Sequence, residues 1–327
     1  MSTYLVEFSA GNLGHITARN DGYTHSIWAA RGQENSGRDA LAASQEILND
    51  YNAYFGFRFP LPKLDSIAIP GGFPGAMENW GAITYTDQLL LVGPSTTNAS
   101  REYAWDVQAH EMAHQWTGDL VTMDWWSDIW INESFASWME VKETALRHPE
   151  WAWWESVDSE LQDAFDADGQ VVQTAIVTPV TNELQAEASF NPAIVYTKGR
   201  EVLRMLEEYL GEDTFRDGMR RYIRANAYSN AVASDLWRAL SAESGQDTAA
   251  LGSAWITQPG YPLVSETAQC DSSGNRTIVL SQKRFLWQGV DPKNERWSVP
   301  LQIQSGNGDD QKAVLKGDGQ TLNAGRC

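Results

Sequence analysis

Cationic side chains are in short supply in this sequence: 24 Lys and Arg stand against 43 Asp and Glu, a formal net charge of −19 over 327 residues. A surface so lopsided repels phosphate backbones and anionic headgroups, which sets aside nucleic acid and acidic membrane surfaces as partners. Cysteine is scarcer still, with only Cys270 and Cys327. The two lie far apart, and their spacing matches no cysteine-based metal site. Each is open to staying free or to pairing with something outside the chain. No apolar run is long enough to span a bilayer, and the opening Met1-Ser2-Thr3-Tyr4 starts no signal peptide. Internal repeats and low-complexity tracts are missing as well, so neither a solenoid nor a disordered linker is indicated.

Apolar and aromatic material is plentiful. Hydrophobic residues make up 42% of the chain and include fifteen tryptophans, enough for a sizeable core and more than one ordinary domain. Trp116, Trp125, Trp126, Trp130 and Trp138, then Trp151, Trp153 and Trp154, read mainly as the core of a helical region, with a few left to line a cleft. Tyr4 to Phe8 and His15 to Ala30 read as strands. From Arg38 the pattern turns helical, with Leu41, Ile47, Leu48, Tyr51 and Tyr54 on one side. Leu64 to Ile69 and Ala82 to Tyr85 are further strands, and helices dominate from about Arg101 to Trp255. The run Gln258-Pro259-Gly260-Tyr261-Pro262 is the strongest breaker and the best boundary. Beyond it Thr277 to Gln282, Arg284 to Trp287 and Trp297 to Ile303 alternate like strands.

The chain holds five histidines, and two of them stand as His110-Glu111-Met112-Ala113-His114, with Glu133 downstream. Residues four apart on a helix lie roughly 40° from one another, so both imidazoles face one point. Two histidines at this spacing also occur as ordinary core residues. The carboxylate that follows, on a second helix read over Asp128 to Arg147, tips the balance to a metal site. Two imidazoles and a carboxylate suit one zinc ion and leave its fourth position open, as a catalytic site requires. Glu111 sits one step round the helix, placed as a base for a water at the ion. Metzincins need Gly and His just after this motif, and Thr117 and Leu120 stand there instead.

Upstream, Gly75-Ala76-Met77-Glu78-Asn79 runs through Trp80-Gly81 into a strand. A Gly-Ala start lets a peptide approach the backbone, and an extended edge can pair with it. Glu78 is then a fixed negative charge suited to a substrate's α-ammonium; alone it reads as an exposed glutamate on a turn.

Taken together these motifs resemble the aminopeptidase N-type zinc aminopeptidases, the gluzincins. Gly75 to Asn79 matches that family's exopeptidase signature, and His110 to His114 with Glu133 its zinc signature. The run from Gln115 to Trp126 and Trp130-Ile131-Asn132-Glu133 follow it too, as does Tyr196-Thr197-Lys198-Gly199. The resemblance implies that Glu111 is the general base, that Tyr196 donates to the oxyanion, and that Glu78 anchors the α-amine. By the same resemblance Gly75, Ala76 and Met77 line the substrate path beside Asn79. On its own residues Tyr196 reads equally as part of a buried helix, and Lys198 and Gly199 read as local structure.

The resemblance also implies an α+β fold: a thermolysin-like, mainly helical catalytic domain with a small mixed sheet over 36–258. Residues 1–35 would end an N-terminal β domain, and 261–327 would be a partial β-sandwich. It covers the middle of a typical member, so domains outside this chain are expected partners, and apolar surface where they would pack is an expected liability. The expected activity is removal of N-terminal residues from peptides with a free N-terminus, using one zinc ion. Two other readings stay open: a zinc hydrolase cutting internal bonds or opening epoxides, and an inactive or partner-dependent peptide-binding fragment. Pro74, just before the exopeptidase segment, is a candidate for shaping the first side-chain pocket.

Overall fold

Asp21-Gly22 is the sharpest turn signal near the start of the chain, and it closes a hairpin. Both residues take positive φ, 48° and 88°, as a two-residue turn with the twist of its strands demands. The strands are β1 (Leu13–Asn20) and β2 (Tyr23–Ala30), in register from Asn20 opposite Tyr23 to Leu13 opposite Ala30. In the computed structural model, which describes residues 2–72, 75–304 and 311–327, this hairpin continues into a mixed sheet. β2 pairs in parallel with β3 (Lys63–Ile69), β3 in parallel with β5 (Ala82–Thr86), and β4 (Ala76–Met77) lies antiparallel at the edge. Of the segment Gly75–Asn79, Ala76 and Met77 therefore form an edge strand. Pro74 lies outside the described residues.

The chain divides into two compact units, Met1–Asp158 with Met219–Val232, and Ser159–Gly218 with Ala233–Cys327. In the first, α1 (Arg38–Phe55) buries Ala40, Ala43, Ile47, Leu48, Tyr51 and Phe55. The stripe is thus rotated slightly from the one read in the sequence: Phe55 is the deep residue, and Leu41 and Tyr54 are only half-buried. After α2 (Asp87–Leu90) come α3 (Asn98–Ala113) and α4 (Trp130–Arg147), which pack on each other. A short α5 (Trp153–Ser156) follows, and β6 (Val121–Met123) pairs in parallel with β7 (Ser229–Ala231). Trp116, Trp130 and Trp138 are fully enclosed, so these tryptophans are core, whereas Trp125 is 54% exposed.

Two strand expectations fail. Tyr4 to Phe8 forms no strand: Thr3–Leu5 is one 3-10 turn, and Val6 and Phe8 are exposed without a ladder. Alternating side chains do not make a strand where no neighbouring backbone is there to pair. Arg284 to Trp287 likewise makes no strand of its own, since the preceding strand ends at Arg284, whose side chain turns into a buried ion pair.

The second unit contains α6 (Asp158–Asp168), α7 (Glu183–Ala188) and a π-helical turn, Pro192–Lys198. α8 (Gly199–Leu210) follows, burying Val202, Leu203, Leu206 and Tyr209. α9 (Glu212–Asn226) belongs to this unit only as far as Gly218, its remainder counting with the first, and α10 (Ala233–Ser244) and α11 (Thr248–Thr257) complete the helices. Beyond the Gln258–Pro262 breaker, β8 (Pro262–Cys270), β9 (Asn275–Arg284) and β12 (Gly319–Arg326) form one antiparallel sheet with β9 central. β10 (Val299–Ile303) and β11 (Gln311–Leu315) form another. Ile278, Leu280, Leu315 and Ala324 share a core cluster with Val264, Leu301 and Leu322, so both sheets contribute to it. Cys270 and Cys327 are joined in a disulfide. That corrects the expectation of free thiols or an outside partner, because the ends of two strands flanking β9 meet although 57 residues separate them. No helix of the described residues is long and apolar enough to cross a membrane.

Candidate metal centre

α3 begins where Thr97 Oγ1 accepts the amide of Ser100, an N-cap that starts the helix sixteen residues before it ends at Ala113. Its exposed first half gives way to continuous burial from Gln108 to Ala113, so the helix drives His110 and Glu111 into the unit. His114 is the cap residue, and the chain turns back immediately after it. Gly118 makes this possible, with φ of +139° and a position where a Cβ would stand 3.1 Å from His114 Nδ1. α4 then brings Glu133 in its first turn.

Three ligand atoms converge. His110 Nε2 and His114 Nε2 are 3.1 Å apart, and Glu133 Oε2 lies 3.3 Å from each. Tetrahedral zinc with bonds of about 2.0–2.1 Å separates its ligands by about 3.3–3.4 Å, so this triangle is one face of such a tetrahedron. Proton positions point the same way. His114 Nδ1 is 3.0 Å from the Thr117 carbonyl, which can only accept, so Nδ1 carries the proton and Nε2 the lone pair. His110 Nδ1 is held by the Glu140 carboxylate. Two lone pairs facing each other beside a carboxylate make a cation site, and the residues fit one zinc ion.

The surrounding negative charge favours a cation here, whether a proton on an imidazole or a metal ion that displaces it. Burial opposes protonation of His114, but Glu133 and Glu78 carry it up to about 9. Burial also disfavours the ionised form of Glu133, yet His114 and His110 hold it well below the usual carboxylate range. Glu111 is pushed up to about 8 by burial, against the pull of His110 and His114. A second cluster of ligand-type atoms, from Glu78, Glu111 and His114, lies within 4.8 Å of one another. The carboxylates of Glu78 and Glu111 thus meet at the same imidazole.

Glu78 is 6% exposed and receives the Tyr4 hydroxyl at 3.2 Å on Oε1. Its loop is clamped to the metal helix by Gln115, which donates to Glu78 O at 3.0 Å and accepts from the Gly81 amide at 2.9 Å. Gly75 takes φ of +68°, and its carbonyl accepts the Thr86 amide at 2.8 Å, setting Ala76 and Met77 on the sheet edge. Asn79 is turned inward: its Oδ1 accepts from Thr84 at 3.0 Å and its Nδ2 donates to Leu5 O at 3.4 Å. Tyr196 stands in the second unit, half-buried on the π-helical turn.

Sequence reasoning missed three residues of this centre. Glu140 lies seven residues after Glu133, two turns along the same face of α4, so helical spacing alone could have flagged it. Gln115 adjoins the motif, yet nothing in the sequence says that its amide serves the Glu78 loop. Tyr4 is 74 residues from Glu78 and carries no signal at all.

Comparison with known proteins accords with this geometry. Residues 39–255 match the peptidase family M1 domain. The chain is 39% identical over 311 residues to the puromycin-sensitive aminopeptidase of Caenorhabditis elegans, covering 94% of this chain and 33% of that one. It is 38% identical to an aminopeptidase N of Lactococcus lactis subsp. lactis, over 92% of this chain and 35% of the relative. With aminopeptidase M1 of Arabidopsis thaliana it shares 38% identity over 96% of this chain and 35% of the relative. The chain therefore spans about a third of the length of the curated relatives it matches.

Proposed function

The chain belongs to peptidase family M1, and from that premise we propose that it carries the catalytic centre of a zinc aminopeptidase acting on peptides with a free N-terminus. The observation that carries the proposal is the triangle of His110, His114 and Glu133 with Glu78 and Glu111 beside it. A zinc ion held by those three residues supplies Lewis-acid polarisation of a carbonyl and makes water acidic near neutral pH.

The protein's own groups do the rest. Glu111 holds the proton taken from the attacking water and returns it to the leaving amine; a carboxyl raised toward neutrality is suited to both directions. Glu78 faces the α-ammonium, and its buried negative charge selects a free N-terminus over a blocked one. The Ala76–Met77 edge offers backbone groups to an extended peptide, with Gly75 at its start giving close approach. Asn79 supports this segment from behind through Thr84. Tyr196 is assigned as the oxyanion donor on the Tyr196-Thr197-Lys198-Gly199 pattern.

Hydrolysis of a panel of aminoacyl-arylamides, with and without a chelator, tests this. Chelator-sensitive turnover of free substrates and none of N-acetylated ones is expected. Equal turnover of blocked and free peptides would remove the aminopeptidase reading and leave an endopeptidase. A folded, zinc-loaded chain that binds peptides without turning them over would make it a binding fragment.

A further inference from the structure

The π-helical turn Pro192–Lys198 that carries Tyr196 is a rare conformation that is frequent at functional sites. Asn191 caps its start, with Oδ1 accepting the Ile194 amide at 3.2 Å. Its other end is held by Lys198, two residues beyond Tyr196. Lys198 Nζ lies 2.8 Å from Asp168 Oδ2 and donates to Gly260 O at 2.9 Å. Asp168 Oδ1 accepts the Gly260 amide at 2.7 Å, so lysine, aspartate and glycine backbone close into a ring.

The ring is deep, with Lys198 8% and Asp168 2% exposed. It also depends on a glycine: Gly260 has φ of +88°, and a Cβ there would stand 2.4 Å from Arg284 Nε. Arg284 is itself fixed to Glu295 at 2.6 Å and to Gln170 O at 2.9 Å. Buried ion pairs of this kind are weak stabilisers, since apolar residues of similar volume often replace them without loss. What such a ring supplies is a single geometry, here joining the end of α6, the breaker before β8 and the end of the π-helical turn.

We propose that Lys198 is a positioning residue for Tyr196: the Lys198–Asp168–Gly260 ring fixes the end of the π-helical turn and so aims the Tyr196 hydroxyl. The inference rests on the reading of Tyr196 as oxyanion donor. It separates Lys198 from a merely structural lysine, which would matter to folding and not to turnover.

The test is the pair Lys198→Met/Asp168→Leu, which removes both charges together so that neither is left buried alone. In the full chain the thermal midpoint should fall by several degrees but leave the chain folded. The two charges go together, while the Gly260 amide and carbonyl lose their partners. KM for an aminoacyl-arylamide should hold while kcat falls on the order of 10- to 100-fold, the scale of a displaced catalytic group. In a Tyr196→Phe background the same pair should cost less than about 2-fold, because the group it aims is gone. Amide exchange across residues 192–198, read by mass spectrometry, should quicken whatever the turnover. A double variant with parental kcat and parental exchange overturns the proposal, and so does an equal kcat loss in the Tyr196→Phe background. If Tyr196→Phe is itself as active as the parent, the oxyanion assignment fails instead, and exchange across 192–198 then decides the ring by itself.

Discussion

Glu111, Glu140 and Glu78 are three carboxylates around one pair of imidazoles, and each should fail differently when altered. On the proposed mechanism Glu111→Gln removes the proton acceptor and leaves the ligand triangle intact. Zinc content should stay near one per chain while kcat drops about 10²- to 10⁴-fold; metal analysis beside turnover checks both halves. Glu140→Ala frees the His110 ring without removing a ligand. Zinc affinity should fall about 10- to 100-fold in a chelator competition, with activity regained at higher zinc. An affinity equal to the parent's would mean that the Glu140 contact does not orient the metal-bound ring. Glu78→Ala should leave zinc affinity unchanged and lose the discrimination between free and acetylated N-termini. If the variant still discriminates, the ammonium-anchoring role belongs to another group.

Elements add constraints that single residues do not show. α4 carries Glu133 and Glu140 on one stretch, and nearly three turns beyond Glu133 it buries Glu143 at 3% exposure. Burial, with Asp50 beside it, pushes Glu143 up to about 9, although Arg147 at 3.7 Å pulls the other way. Below about pH 4.5 the carboxyl is protonated in both folded and unfolded chains, so its contribution is fully present there. As pH rises toward 9 the unfolded chain ionises first and that contribution is lost. Glu143→Gln should therefore raise the thermal midpoint by a few degrees, on the order of 2–4 °C, at pH 8 and hardly at all at pH 5. An equal shift at both pH values would show that the carboxyl titrates normally. At the other end of the chain, the Cys270–Cys327 disulfide closes a separation of 57 residues across β8, β9 and β12. Loop-closure entropy for that length is worth about 4 kcal/mol. Reduction should loosen amide exchange in those strands and leave α3 and α4 as protected as before.

At the scale of the molecule, the three metal ligands all lie in the unit built from Met1–Asp158 and Met219–Val232. A ligand that binds only the folded state stabilises it by about 4 kcal/mol at a thousand times its dissociation constant. Stripping zinc with a chelator should therefore raise exchange across α3 and α4, while the strands from β8 to β12 keep theirs. Uniform loosening of the whole chain would mean that the metal is not specific to this unit. With a net charge of −19, added salt should raise the thermal midpoint by screening self-repulsion. The curated relatives are about three times longer than the part of them that this chain matches.

The metal trio was legible in the sequence because its logic is local. A helix of known pitch turns His110 and His114 to one point whatever surrounds it, and Glu111 follows from the same geometry. The breaker at Pro259-Gly260 is legible for a similar reason, since backbone preference acts over a few residues, whereas the Asp21-Gly22 turn falls inside the stretch His15 to Ala30 and is not singled out by that reading. Only the tertiary structure decided that Glu78 meets Glu111 at the His114 ring and that Tyr4 caps Glu78. It also decided that Cys270 finds Cys327 and that Lys198 closes a ring with Asp168 and Gly260. Those contacts join residues dozens of positions apart, and neither pitch nor propensity reaches across such distances; packing of the helices and sheets brings them together.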